Sequence, residues 1–247
     1  MSWRDFLAVY PPRVYLATTL PRAILQAAFF AFLGYYGAGE AGREFAFIGA
    51  CGQIILLATV VRAPDVLIDE RIMGTLHRLR LGNVPLPALV AARWWIYVCA
   101  GLVDAVVAVV VVGALVGELD VVPKLLAAAP LFLLLALTTS GVGLLVAAIS
   151  LTHRIDVVLT NLAAYLMLVF CGVVAPISVF GDTGEILVRL VPLTNGLLAI
   201  RADVAGEPWL REAALELAAG AAWALIAVTV LQVQAHRARS RGTDELL

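Results

Sequence analysis

Long apolar runs alternate with short polar loops along the whole chain. A membrane-spanning helix needs about 20 apolar residues, and its backbone hydrogen bonds are all satisfied within the helix, as the bilayer interior requires. Segments near that length lie at about residues 20–38, 45–63, 94–117, 125–150, 157–180 and 213–234. The pattern predicts an all-α membrane protein whose transmembrane domain, residues 20–234, has six transmembrane helices.

A first amphipathic segment precedes these runs. Trp3, Phe6, Leu7 and Tyr10 recur at the spacing of one helical face. This stripe predicts an interfacial helix over residues 1–19 that lies along the membrane before the first span. An ordinary frayed terminus is the alternative.

The most polar internal segment lies between the second and third apolar runs. Ile72, Leu76 and Leu79 fall on one helical face and the rest of that stretch is basic. Gly82-Asn83, followed by two prolines, ends it. We therefore predict a short amphipathic helix over residues 69–82 that lies at the membrane surface and contacts a partner.

The segment between the fifth and sixth runs is amphipathic but interrupted. Its apolar residues recur at helical spacing over residues 182–201, and Pro192 and Gly196 break the pattern in the middle. Irregular backbone at membrane depth is tolerated only where protein or a cavity covers it. We interpret this segment as two re-entrant helices that dip into the outer leaflet and return. A plain extracellular amphipathic loop is the alternative.

Composition and charge fix the location. The chain is 62% hydrophobic and 14% charged, with a mean hydropathy of +0.98, whereas soluble domains are about half apolar and a quarter charged. Most of its 17 Lys and Arg residues fall in the loops that share a side with the N-terminus. The positive-inside rule then predicts a multi-pass plasma-membrane protein with cytoplasmic termini, the tail spanning residues 235–247. The opposite loops carry many acidic residues, Glu216 among them.

Catalytic signatures are absent from the sequence. There is no G-x-x-x-x-G-K-[ST], H-E-x-x-H or G-x-S-x-G motif, and the three cysteines have no metal-site spacing. We therefore expect no metal and no cofactor on this chain, and any ATP that it depends on would be hydrolysed by another chain.

Asp104 is the one acid well inside an apolar run. A charge at this depth points by default to a protein interior or a wet pathway. It would line a translocation route, carry a proton, pair with a residue on another span or make a structural hydrogen bond, and the sequence leaves these roles open. Gln53, Asn161 and Tyr165 are weaker candidates for a polar lining.

Three separated motifs together resemble one family. Glu70 to Leu76 resembles the E-x-x-x-G-T-L signature of the permease subunits of type-2 ABC transporters, drug and antibiotic exporters among them. Cys171 to Pro176 is similar to that family's motif near the end of the fifth span. Pro192-Leu193-Thr194 with Ala199-Ile200-Arg201 is similar to its motif before the last span. His77 and Asn83 depart from the family pattern.

The resemblance implies roles for particular residues. The helix at 69–82 would be the coupling helix that docks into a cytoplasmic ATPase subunit. Residues expected to serve this coupling are Glu70, Gly74, Thr75, Leu76, Arg78 and Leu79. Residues expected to form an outer gate are Pro176, Pro192, Thr194 and Arg201.

The implied function is that of a transport subunit, not an enzyme. It would pair with a second permease, identical or not, and with ATPase subunits that bind the ATP and Mg²⁺. The apolar spans favour export of an amphipathic small molecule, such as a drug or antibiotic. Export of a lipid or lipid-linked polysaccharide is the alternative, and an ion-driven carrier using Asp104 is a further one. Membrane lipid is an expected partner and nucleic acid is not.

Overall fold

The computed structural model describes residues 11–72, 86–153 and 155–241, and every regular element in these ranges is helical. The predicted all-α class is therefore confirmed. The helices are α1 (Leu20–Leu56), α2 (Asp65–Ile72), α3 (Leu86–Val116), α4 (Val122–Ala127), α5 (Ala129–His153), α6 (Asp156–Phe170), α7 (Gly181–Val188), α8 (Thr194–Ala205) and α9 (Leu210–Arg241). A short helical turn (Pro12–Val14), π-helical turns (Tyr15–Thr19 and Leu57–Arg62) and a 3₁₀ turn (Ile177–Phe180) complete them.

Within the described residues, four helical stretches are long and apolar enough to cross a membrane. They are Pro12–Ile68, Ala92–Val116, Ala129–Ser150 and Leu210–Gln234, while Asp156–Phe170 is apolar but shorter. The predicted run at 157–180 is thus continuously helical only as far as Phe170. The helix does not continue because Gly172 adopts a φ of 76°, a value that favours glycine and lies outside the helical range.

The first of these stretches is a helical hairpin. Its 57 residues would measure about 86 Å as a straight helix, roughly three bilayer thicknesses. The helix breaks at Ala38 and Gly39, where φ is −147° and 67°. A first arm (residues 12–37) and a second arm (40–62), each including the π-helical turn at its end, then run antiparallel. The backbones of Gly34 and Gly42 lie so close that a Cβ at either would overlap the other.

The second arm packs against α3. Gly101 of α3 faces Ile55 and Ala58, so the two helices approach closely in their middle. At one end Arg43 donates a 2.6 Å hydrogen bond to the carboxylate of Glu118. This pair ties the second arm to the turn that follows α3, where an unpaired charge would be costly.

Helix α5 lies at the centre of the bundle. A Cβ at its Gly141 would meet the backbone of Ala224 on α9, and one at Gly143 would meet Thr59. Small residues of this kind let helices approach closely in a membrane. Thr59 and Thr139 add a buried hydroxyl–hydroxyl contact of 2.8 Å.

Two amphipathic segments lie partly outside the described residues. Of the predicted interfacial helix at 1–19, residues 1–10 lie outside, and the remainder is helical from Pro12. Of the predicted helix at 69–82, the described part ends with α2, and residues 73–85 lie outside. The segment 182–201 contains most of two short helices, α7 and α8, separated near Pro192 as the sequence pattern predicts. The second predicted break, at Gly196, is wrong, because Gly196 lies within α8.

The contact between the second arm and the 172–175 turn gives a stability prediction. A Cβ at Gly49 would overlap the carbonyl oxygen of Val173. We expect Gly49→Ala to lower the free energy of unfolding by about 1–3 kcal/mol, since well-packed interiors do not absorb added atoms. Unfolding in detergent mixed micelles measures it.

Gly37→Ala is the matched control, because it lies in the first arm with no atom within 4 Å of an added Cβ. This change should leave stability unchanged or slightly raised, as alanine favours helix. Equal effects of the two substitutions would contradict the close approach at Gly49.

Candidate functional site

Helix α2, whose last four residues are the described part of the predicted coupling helix, packs against the bundle. α2 begins directly after the turn at Ala63 and Pro64, whose carbonyls accept hydrogen bonds from residues 66–68. Val66, Leu67 and Ile68 are buried, Leu67 completely. The start of α2 is therefore packed against the bundle directly after the second arm.

The six predicted coupling residues divide between α2 and the part of the chain outside the described residues. Glu70 belongs to α2, which continues to Ile72. The other predicted coupling residues, Gly74, Thr75, Leu76, Arg78 and Leu79, lie outside the described residues. Their role stays a prediction.

Asp104 is buried and makes two specific contacts. Its carboxylate is 1% exposed and accepts a 2.7 Å hydrogen bond from Arg62, which forms an ion pair with it. The other carboxylate oxygen accepts a hydrogen bond from the hydroxyl of Tyr15. This cluster of three side chains joins the start of the first arm, the end of the second arm and the middle of α3. We call it the inner cluster.

The other candidate path residues lie apart from the inner cluster. Gln53 is buried in the second arm, and its side-chain oxygen has no hydrogen-bond partner among the described residues. Asn161 and Tyr165 are exposed on one face of α6, where Asn161 donates to the carbonyl of Val157. The structure therefore groups Asp104 with Tyr15 and Arg62 and not with the three weaker candidates.

Arg201 connects two motifs with the hairpin. Its guanidinium lies 3.5 Å from the ring centroid of Phe45, a cation–π contact. It also donates hydrogen bonds to the carbonyls of Phe45 (3.1 Å) and Gly172 (2.8 Å). One side chain thus links α8, the turn after α6 and the start of the second arm.

Glu216 of α9 binds the beginning of α8. Its carboxylate accepts hydrogen bonds from the backbone N–H of Leu193 (2.8 Å) and Gly196 (2.9 Å) and from the hydroxyl of Thr138 (2.6 Å). A negative charge near a helix N-terminus is favourable because the unpaired N–H groups and the helix dipole point at it. Leu193 takes a φ of 95°, a conformation rare for a non-glycine residue.

The remaining predicted gate residues lie around this contact. Thr194 is buried and donates a 2.7 Å hydrogen bond to the carbonyl of Val188, which closes the turn between α7 and α8. Pro192 is buried in the same turn. Pro176 directly precedes the 3₁₀ turn. Thr194 therefore lies at the turn between α7 and α8, and Arg201 on α8 contacts the turn at Gly172.

Sequence reasoning missed the residues that hold these groups in place. Glu216 was assigned to the outer-side charges, although it is completely buried. Its position inside an apolar helix is the signal that points to such a role. Tyr15 and Arg62 carry no local signal, because their partner Asp104 is distant in the chain.

Comparison with protein families gives one match. The family model described as ABC-2 type transporter matches residues 1–203, which include the hairpin, α2 to α7 and most of α8. Comparison with curated proteins and with solved structures gives no match. In the described residues, no group of three His, Cys, Asp or Glu side chains is arranged to hold a metal ion.

The carboxylate of Glu216 gives a second stability prediction. Glu216→Leu would leave two buried backbone N–H groups unpaired, at about 1–3 kcal/mol each. We expect faster amide hydrogen–deuterium exchange across residues 190–200 and a lower free energy of unfolding. Mass spectrometry of the exchanged peptides measures the first effect.

Glu212→Leu is the control, since Glu212 lies one turn earlier on the same helix and makes no hydrogen bond or ion pair within the described residues. It should leave exchange at residues 190–200 unchanged. Unaltered exchange in Glu216→Leu would show that this carboxylate does not organise the start of α8.

Proposed function

The chain belongs to the ABC-2 type transporter family and is thus a transmembrane component of an ABC transporter; we propose that it is the permease subunit of an ATP-driven exporter. The family match across residues 1–203 is the observation that carries this proposal. The ATP and its Mg²⁺ would bind a separate cytoplasmic subunit.

We propose six spans with both termini in the cytoplasm. The two arms of the hairpin, α3, α5 and α9 supply five crossings, and α6 with the turn after it supplies the sixth. The basic residues of the sequence favour this orientation. With it, α7 and α8 lie at the outer face, where their mixed polarity and their burial against α9 support a re-entrant pair.

The coupling helix would transmit the motion of the ATPase. In this proposal residues 69–82 dock into the ATPase subunit, and closure of the ATPase pair moves them. The buried residues of α2 carry the displacement to the second arm, which ends in Arg62. The inner cluster then couples the second arm to α3, because Arg62 and Asp104 are an ion pair.

A second permease would complete the transport route. Tyr165 is 64% exposed on α6 and Tyr36 is 84% exposed on the first arm. Large exposed apolar faces of a membrane helix contact lipid or another protein. We propose that Asn161 and Tyr165 face the route between two permeases, and that Gln53 and Asp104 act behind it.

The outer gate in this proposal is the set of residues around α8. Arg201 ties α8 to the second arm and to the 172 turn, so a movement of the second arm reaches α8 directly. Pro176, Pro192 and Thr194 shape the turns on either side. The gate would open outward when the inner end closes.

We propose an amphipathic small molecule, such as a drug or antibiotic, as the exported substrate. The apolar surfaces of the spans support this class, and export of a lipid or lipid-linked polysaccharide is the second candidate. The ion pair with Arg62 argues for a structural role of Asp104 over a free proton-carrying acid. It therefore counts against the ion-driven carrier.

The coupling proposal predicts loss of a partner on mutation. The chain extracted from its native host should copurify with a cytoplasmic ATPase, and Glu70→Arg should reduce both the recovered ATPase and its activity at least about tenfold, as for a lost charge-assisted contact. Copurification followed by an ATP hydrolysis assay measures this.

Asp182→Arg makes the same charge change on α7 and should leave the complex intact. Recovery of the chain with no ATPase, or full coupling in Glu70→Arg, would contradict the proposal.

Energy source and substrate class are tested together in inverted membrane vesicles. Uptake of a fluorescent amphipathic dye should require ATP and persist when an uncoupler collapses the ion gradients. Uptake driven by a gradient without ATP would favour the carrier. ATP-dependent transfer of a labelled lipid, without dye uptake, would favour the second candidate.

A further inference from the structure

A polar cavity lies between the two arms of the hairpin and α3. Its volume is about 240 Å³, and its polar lining consists of Thr18, Thr19, Arg22, Gln26, Arg62 and Asp104. A phosphate group with part of its headgroup fits in such a volume. Polar side chains in an apolar bundle are costly unless they meet a partner or water, so the cavity is built for a polar occupant.

The charges of this cavity favour an anion. Asp104 is already neutralised by Arg62 and hydrogen-bonded by Tyr15. Arg22 has no acidic partner among residues 11–72, 86–153 and 155–241. The described residues that line the cavity therefore carry a net charge of +1, beside hydroxyl and amide groups that can donate to an oxygen.

The cavity lies within one leaflet of the bilayer. Arg43 and Arg62 lie about 28 Å apart along the second arm at 1.5 Å per residue, close to the ~30 Å of the hydrocarbon core. Ile54, which lines the cavity with Arg22, lies in the half nearer to Arg62. A long arginine side chain at this depth reaches back toward the interface.

An apolar stripe begins at the cavity and follows the first arm outward. Leu25, Phe29, Leu33 and Tyr36 continue the helical face of Arg22 at spacings of three and four, and all four are exposed. The stripe is about 21 Å long from Arg22 to Tyr36 at 1.5 Å per residue. That length matches one extended acyl chain. The same helical face therefore carries the positive charge of Arg22 followed by an apolar surface for a lipid tail.

We propose that this cavity binds the phosphate of an anionic phospholipid from the leaflet at the Arg62 end of the hairpin. Arg22 is the ligand for the phosphate, and Thr18, Thr19 and Gln26 donate hydrogen bonds to its oxygens. The acyl chain lies along Leu25, Phe29 and Leu33. The orientation proposed above makes this the cytoplasmic leaflet, whose anionic lipids attract basic groups.

Native mass spectrometry of the full chain purified in detergent tests the site. The probes are phosphatidylglycerol, phosphatidylcholine with the same acyl chains, and glycerol phosphate, which lacks a tail. We expect phosphatidylglycerol to be retained best, and Arg22→Gln to weaken its binding at least about tenfold, the value of a charge-assisted hydrogen bond. Arg22→Lys should keep part of the affinity.

Two further variants separate this site from general attraction to a basic surface. Arg13→Gln removes the same charge from a position that does not line the cavity. It should change the affinity less than about twofold, because a surface charge away from the site acts weakly. Asp104→Asn should strengthen phosphatidylglycerol binding, because it removes the nearby negative charge and frees Arg62. Asp104 is 1% exposed, so general surface attraction would not respond to it.

Equal lipid binding in the wild type, Arg22→Gln and Arg13→Gln would overturn the proposal. Binding of glycerol phosphate as tight as that of the lipid would show a site for a soluble phosphate and overturn the lipid assignment. A dimeric species that excludes lipid would show that a second copy covers the stripe. None of these outcomes depends on what the transporter exports.

Discussion

The interior of a bilayer supplies no hydrogen bonds, so a charged side chain within it needs a partner from the protein itself. This constraint organises the bundle. Arg43 pairs with Glu118 at one end of the second arm, and Arg62 pairs with Asp104 toward the other. Asp104 lies on α3 and Glu118 lies two residues after its end, so the two ion pairs hold the second arm against α3 and the turn that follows it. Glu216 meets the same constraint differently, since its partners are backbone N–H groups and one hydroxyl.

Much of the fold follows from the sequence because apolar runs and helical spacing are local properties. The six runs, the interruption at Pro192 and the isolated acid at position 104 could all be recognised in this way. The partners of that acid could not. Tyr15 and Arg62 reach Asp104 only because the chain reverses at Ala38 and Gly39 and the arms then pack antiparallel. That register depends on the close approach of Gly34 and Gly42, and no periodicity in the sequence encodes it.

The motifs at 171–176 and 192–201 were recognised by resemblance, and the structure supplies a physical reason for them. Gly172 leaves the helix and offers its carbonyl to Arg201, while the N–H of Leu193 meets a carboxylate from α9. Each motif supplies one partner of a contact, and the other partner lies elsewhere in the chain. Glu216 belongs to none of the motifs, and its acidic character alone suggested a solvent-facing position. The roles of the coupling residues and of the gate stay predictions.

The hairpin also bears on how the protein enters the membrane during synthesis. Its two arms are neighbours in sequence, so they pack early, as local contacts form fastest, and synthesis proceeds from the N-terminus. Arg62 then reaches the membrane before α3 has been made. Its acidic partner, Asp104, is synthesised later, and until then the guanidinium of Arg62 must stay near the aqueous boundary. Integration of α3 is therefore the step that brings Asp104 to Arg62 and lets this side chain turn inward.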